Sequence, residues 1–149
     1  MPPEPPRPSP RPGPRHERAG RWTALVAGPL PVEAVHRFLA DDRAGGTCVF
    51  VGTSRRWTDG VETDLLTYEA YGPMAEAELD RLAGGAASRW GAVRVAVLHR
   101  TGAVPPPEAS VVVGVACAHR APAFEACRWI IDTLKAEVPV WKTEHAPPG

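Results

Sequence analysis

Of the seventeen basic side chains in this chain, fifteen are arginine, and its two lysines, Lys135 and Lys142, both fall in the last fifteen residues. Arginine cannot lose its proton in a protein, whereas a lysine beside other cations or in a dry pocket can, and it then serves as nucleophile, base or acyl acceptor. A chain that supplies plain positive charge with guanidinium and keeps its amines for one segment points to amine chemistry there. The competing reading is that both are ordinary surface lysines.

Three further groups carry chemical potential. Cys117, Ala118, His119 and Arg120 join the end of an expected strand to the start of an expected helix. Free N–H groups, the helix dipole, an imidazole and a guanidinium meet there, and the combination favours an anion: phosphate, carboxylate or a developing oxyanion. The alternative is a cap that only stabilises the helix. Arg55, beside Arg56 on an expected strand-end loop, is a second anion ligand, because a guanidinium grips phosphate through two hydrogen bonds. Cys117 and His119, two apart, form a potential thiolate pair, against which stands the commoner role of a buried strand cysteine. His99 and Arg100 end the preceding strand and are expected to line the same rim or to be structural. Tyr68, Glu69 and Tyr71 put polar groups on the second strand, and Trp141 beside Lys142 packs a loop or walls a pocket.

The elements that must position these residues follow from periodicity. Pro31 opens a helix running to about Asp42, with Val32, Val35, Phe38 and Leu39 at helical spacing. Thr47–Gly52 reads as a buried strand leading into Thr53, Ser54 and Arg55. Asp59-Gly60 turns the chain into a second strand, Glu62–Tyr71. A helix follows from Pro73 to Trp90, on which Met74, Ala77, Leu79, Leu82 and Ala86 form the apolar stripe. Arg94–His99 and Ser110–Ala118 are two more strands. The last helix starts at Pro122, buries Phe124, Cys127, Ile130, Ile131 and Leu134, and ends where Val138 precedes Pro139. The order α, β, β, α, β, β, α defines a single α+β domain of antiparallel strands and three main helices.

Beyond Pro139 the chain can fold back and bring Lys142 to Lys135. Arg120 stands fifteen residues before Lys135, about 22 Å along a helix axis, too far for both to touch one small substrate. Either the chain carries two sites, or His119 and Arg120 reach the lysines of a second copy.

Composition narrows the classes. Residues 1–14 hold eight prolines and nothing apolar to bury, so a disordered Pro-rich tail is expected over 1–21 and the folded domain over 22–149. The five arginines of that tail, set against Glu4 and Glu17, leave twelve basic and fifteen acidic residues in the remainder, which argues against a nucleic-acid surface. No secretory leader and no membrane span are expected. Three cysteines with no metal-ligand spacing suit a reducing cytoplasm and no metal site. The absence of GxGxxG and Walker-type loops argues against a nucleotide.

Five stretches together carry a resemblance: FVGTSR at 50–55, TYEAY at 67–71, HR at 99–100, AHRAPAFEA at 118–126 and DTLKAEVPVWKTE at 132–144. In type, order and spacing they resemble the MoaE family, the large catalytic subunits of molybdopterin synthases, across residues 22–144. The resemblance implies an α/β hammerhead fold and a homodimer within a heterotetramer, with a ubiquitin-like, MoaD-like small subunit at each end. It implies that the small subunit's C-terminal Gly-Gly thiocarboxylate enters a pocket and gives sulfur to cyclic pyranopterin monophosphate, forming the dithiolene of molybdopterin without a resident cofactor. By the same resemblance, Lys135 and Lys142 are the catalytic pocket lysines, followed by Thr143 and Glu144. Thr53, Ser54 and Arg55 form the substrate loop, and His119 and Arg120 the anion pair of the other protomer. Arg56, Trp57 and Cys117 depart from the family's pattern. The rival of another class is a non-catalytic scaffold that only holds a ubiquitin-like tail.

Overall fold

The computed structural model describes residues 15–18 and 20–148. Ten strands and three helices appear among them, in the order β1 (Arg15–Arg18), β2 (Arg21–Val26), α1 (Val32–Leu39), β3 (Gly46–Thr53), β4 (Trp57–Thr58), β5 (Val61–Glu62), β6 (Leu65–Ala70), α2 (Gly72–Trp90), β7 (Arg94–Arg100), β8 (Gly102–Val104), β9 (Ala109–Cys117), α3 (Arg120–Glu137) and β10 (Val140–His145).

A five-stranded sheet, ordered β1-β2-β7-β9-β3, is covered on both faces. Alternation along its central strands divides the core in two. Val95 and Val97 of β7, with Val111, Val113 and Val115 of β9, meet Leu79 and Leu82 of α2 and Ile130 and Leu134 of α3. Ala96 and Leu98, with Val112 and Ala116, meet Trp22 of β2 and Val35, Phe38 and Leu39 of α1. Unbroken apolar runs, Val95–Leu98 in β7 and Val111–Cys117 in β9, are what a sheet buried on both sides requires. Gly114 lies where α1 presses closest: a Cβ there would stand 2.7 Å from Leu39 Cδ1 and 3.1 Å from Val35 Cγ1.

A second sheet, β10-β6-β8, stands apart from the first and carries the C-terminal segment, while β4 and β5 form a separate hairpin. Asp59 and Gly60 both have positive φ at its two-residue turn, the conformation that an Asp-Gly turn favours.

The α+β domain with three helices is therefore found, and the structure adds to and corrects several expectations. Not every pair is antiparallel, because β2 runs parallel to β7. Five further strands, β2, β4, β5, β8 and β10, lie outside the expected ones, apart from Glu62 of β5. The tail expected over 1–21 lies outside the described residues at 1–14 and at 19. At 15–18 the chain instead forms β1, antiparallel to β2, and β2 itself starts at Arg21. The last tail proline is Pro14, so every residue of Arg15–Arg18 has an N–H to give a ladder. On α3, Phe124 is exposed, and Ala123 and Ala126 take the buried face with Cys127, Ile130, Ile131 and Leu134. On α2, Met74 and Ala77 are exposed and Ala75 and Ala83 are buried. Small residues let both helices sit close on the sheet, so the bulky Met74 and Phe124 at the edge of each stripe turn outward.

Candidate active site

The last turns of α3 and the return of the chain in β10 build the site. Before Pro139, Val138 is extended (φ −75°, ψ 132°), which ends the helix three residues after Lys135. The Tyr71 N–H then donates to the Pro139 carbonyl (3.2 Å), and β10 pairs antiparallel with β6. Its register sets Lys142 opposite Tyr68 and Glu144 opposite Leu66, with Thr143 opposite Thr67. Lys142 and Glu144 thus share one face, and Thr143 faces away from them. On the outer side, Arg81 of α2 donates to Glu78 (2.7 Å) and to Glu137 (2.9 Å), fastening the end of α3 to α2.

Two adjoining cavities open between these elements. One, of about 240 Å³, is lined by Tyr68, His99, Ser110, Val111, Ile131, Leu134, Lys135, Val140 and Lys142. The other, of about 180 Å³, is lined by Gly52, Thr53, Arg55, Thr58, Thr63, Leu66, Tyr68, Ser110, Val111, Lys135, Lys142 and Glu144. Lys135 and Lys142 stand on the wall common to both. In the second cavity three cations face one carboxylate, Glu144, whose Oε1 lies 3.6 Å from Lys142 Nζ. That balance attracts an anion, and the hydroxyls of Thr53, Thr58 and Thr63 add donors. The first cavity sets the apolar side chains of Val111, Ile131, Leu134 and Val140 beside the amines of Lys135 and Lys142, both exposed residues, a lining suited to a peptide tail ending in a charged group.

His99 is buried in the wall of the first cavity, 4% exposed, at the end of β7. Its Nδ1 lies 2.8 Å from the Arg100 carbonyl and must donate, since a carbonyl only accepts. Its ring stands edge-on to Tyr68, with centroids 5.0 Å apart. Burial holds its pKa below the ordinary 6.5; the bond to Arg100 acts the other way, and nearby Lys135 adds to the lowering.

The remaining expected residues are placed as follows. Thr53 and Arg55 line the second cavity, whereas Ser54 between them is 2% exposed and lines neither. Thr143 also lines neither, as its alternation dictates. His119 is the N-cap residue of α3 and Arg120 its first residue; both are exposed at the helix end opposite Lys135 and line neither cavity. Arg56 is held by Asp64 (3.1 Å) and Glu62 (3.7 Å) and so belongs to the β4–β5 hairpin. Cys117 is 1% exposed, and burial pushes its thiol pKa up, the reverse of what a thiolate nucleophile needs. Sequence reasoning missed Ser110, Thr58 and Thr63; none had a signal beyond being a hydroxyl near a strand end. Among the described residues no group of three or more His, Cys, Asp or Glu is placed to hold a metal ion, and no helix is long and apolar enough to cross a membrane.

Fold and site together define an α+β domain whose two lysines share a cationic double pocket. The MoaE protein family model matches residues 25–137, and the chain belongs to the MoaE family. It is 42% identical over 120 residues to the human molybdopterin synthase catalytic subunit, covering 80% of this chain and 64% of that protein. It is 44% identical over 128 residues to the Nostoc molybdopterin synthase catalytic subunit, covering 85% and 77%. The chain thus spans just under two thirds of the human relative's length. Among solved structures, molybdopterin synthase from Staphylococcus aureus superposes with a TM-score of 0.80 at 32% identity, covering 90% of this chain and 96% of that one.

Proposed function

We propose that this chain is the catalytic subunit of a molybdopterin synthase, a sulfurtransferase that moves sulfur from the C-terminal thiocarboxylate of a ubiquitin-like small subunit to cyclic pyranopterin monophosphate. The observation that carries the reading is the convergence of Lys135 and Lys142 on the wall between two cavities, in a chain whose relatives bear that name.

In this reading the cavity walled by Ile131, Leu134 and Val140 takes the Gly-Gly tail, and the cavity of Arg55, Thr53 and Lys142 takes the phosphorylated pterin. Lys135, on the shared wall, stands where tail and pterin meet and stabilises the negative charge that develops on oxygen as sulfur changes carbon. Lys142 and Arg55 hold the phosphate through charge-assisted hydrogen bonds. No resident cofactor is required, because the sulfur arrives already activated on the partner. His119 and Arg120, about 22 Å from Lys135 along α3, serve the pocket of a second copy in a symmetric dimer. Three free thiols, Cys48, Cys117 and Cys127, are in keeping with a reducing cytoplasm as the working compartment.

The test is reconstitution. The chain mixed with a thiocarboxylated small subunit and cyclic pyranopterin monophosphate forms the dithiolene product; absence of product refutes the reading. For the dimer, mixing Lys135→Ala with Arg120→Ala chains restores activity, since each mixed dimer then holds one intact site. Failure to restore any would place Arg120 outside the shared pocket.

A further inference from the structure

Among the groups lining the first cavity, His99 is the one imidazole, a side chain that can take up a proton as a base. Its Nδ1–H is spent on the Arg100 carbonyl at 2.8 Å, so in the neutral ring Nε2 carries the free lone pair. The ring is fixed between that bond and the edge-on contact with Tyr68. The titratable groups that share its cavity are Lys135 from α3, Tyr68 from β6 and Lys142 from β10, with no carboxylate among them. An imidazole without an acidic partner, beside cations, stays neutral and keeps its lone pair for an incoming proton.

We infer that His99 is the general base that activates water to release the small-subunit tail once its sulfur has bonded to the pterin, an inference that rests on the sulfur-transfer reading above. At that stage the tail is an acyl thioester, R–CO–S–R′. The water oxygen bonds to the acyl carbon, the carbon–sulfur bond breaks, and its electron pair goes to sulfur. His99 Nε2 takes one proton from the attacking water and passes it to the departing sulfur. The tail leaves as a carboxylic acid that ionises to solvent, and the pterin keeps the thiol. An amine used as acyl acceptor would instead lock the tail as an amide, whereas an imidazole passes its proton on.

The test is single-turnover reaction with thiocarboxylated small subunit and cyclic pterin, quenched and read by mass spectrometry. His99→Asn keeps a donor near the Arg100 carbonyl and removes the base. It is expected to accumulate the tail–pterin thioester and to release product about 10² to 10⁴ times more slowly, at a rate that climbs with hydroxide concentration where the wild type has levelled off. Should His99→Asn not fold, the wild-type profile decides: release must fall as acid protonates a single group whose pKa lies below 6.5. A folded His99→Asn that turns over within about threefold of wild type with an unchanged pH profile overturns the assignment. Loss of product without accumulated thioester, or a wild-type profile flat through that range, overturns it equally. Failure of the wild type to make any product strikes the sulfur-transfer reading instead.

Discussion

Lys142 is the ladder partner of Tyr68: β10 returns antiparallel along β6 and sets the two opposite one another. Tyr68 and Lys142 both line the two cavities, so the strand register is what puts the second amine beside the first. A slip of one residue would turn Lys142 outward and bring Thr143 in.

That register makes a paired prediction. Lys142→Ala raises KM for the phosphorylated pterin about 10- to 100-fold, the loss of one charge-assisted hydrogen bond of roughly 1.5–3 kcal/mol. Thr143→Ala, on the opposite face, leaves KM and kcat nearly unchanged. Steady-state kinetics of the two variants check it, and equal losses would mean that the face assignment is wrong.

The cysteines are expected to be silent in catalysis. Cys117 is buried with a raised pKa, and burial together with neighbouring Cys48 pushes the Cys127 thiol up to about 12. Cys117→Ser keeps turnover, and a thiol reagent at pH 8 labels neither Cys117 nor Cys127 until denaturant is added. Peptide mapping of the labelled chain reads this directly, and rapid native labelling at Cys117 would revive the thiol reading.

His99 gives stability a pH dependence whose sign is fixed. Its folded pKa lies below its unfolded value of 6.5, so on acidification the unfolded chain takes up the proton first. Stability tied to this group is complete above 6.5 and is lost as pH falls through the folded-state pKa. Urea midpoints measured at pH 7 and pH 5 drop further for wild type than for His99→Asn; parallel drops would contradict the burial argument.

Gly114→Ala tests how closely α1 sits on the sheet. The added Cβ would meet Leu39 Cδ1 at 2.7 Å, well inside van der Waals contact. Overpacking of that kind costs about 1–3 kcal/mol. A lowered melting temperature is expected with KM unchanged, because the clash lies on the sheet face away from the cavities.

Much of this was legible in the residues, and the exceptions share a cause. Lys135 and Lys142 stood out by rarity, and Val138-Pro139 marked the break that lets the chain return. The strand that return forms, VWKTEH, offers no apolar alternation, being half-buried or exposed along its whole length. Its existence depends on β6 as partner, which no local pattern reveals. For the same reason the loop Thr53-Ser54-Arg55 looked uniform in sequence, yet Ser54 is buried while its neighbours face the cavity. The parallel pairing of β2 with β7 joins segments some seventy residues apart and has no local signature. Composition and periodicity identify elements; which side chain of an element faces a pocket is set by pairing between distant segments.

The most direct test of the central claim compares wild type with Lys135→Ala in the reconstituted reaction, with binding of the thiocarboxylated small subunit measured alongside. The account predicts dithiolene product from wild type, a fall of at least about 10²-fold for the variant, and nearly equal small-subunit affinity for both. Unchanged turnover by Lys135→Ala would leave the chain as a scaffold for a ubiquitin-like tail and contradict the account.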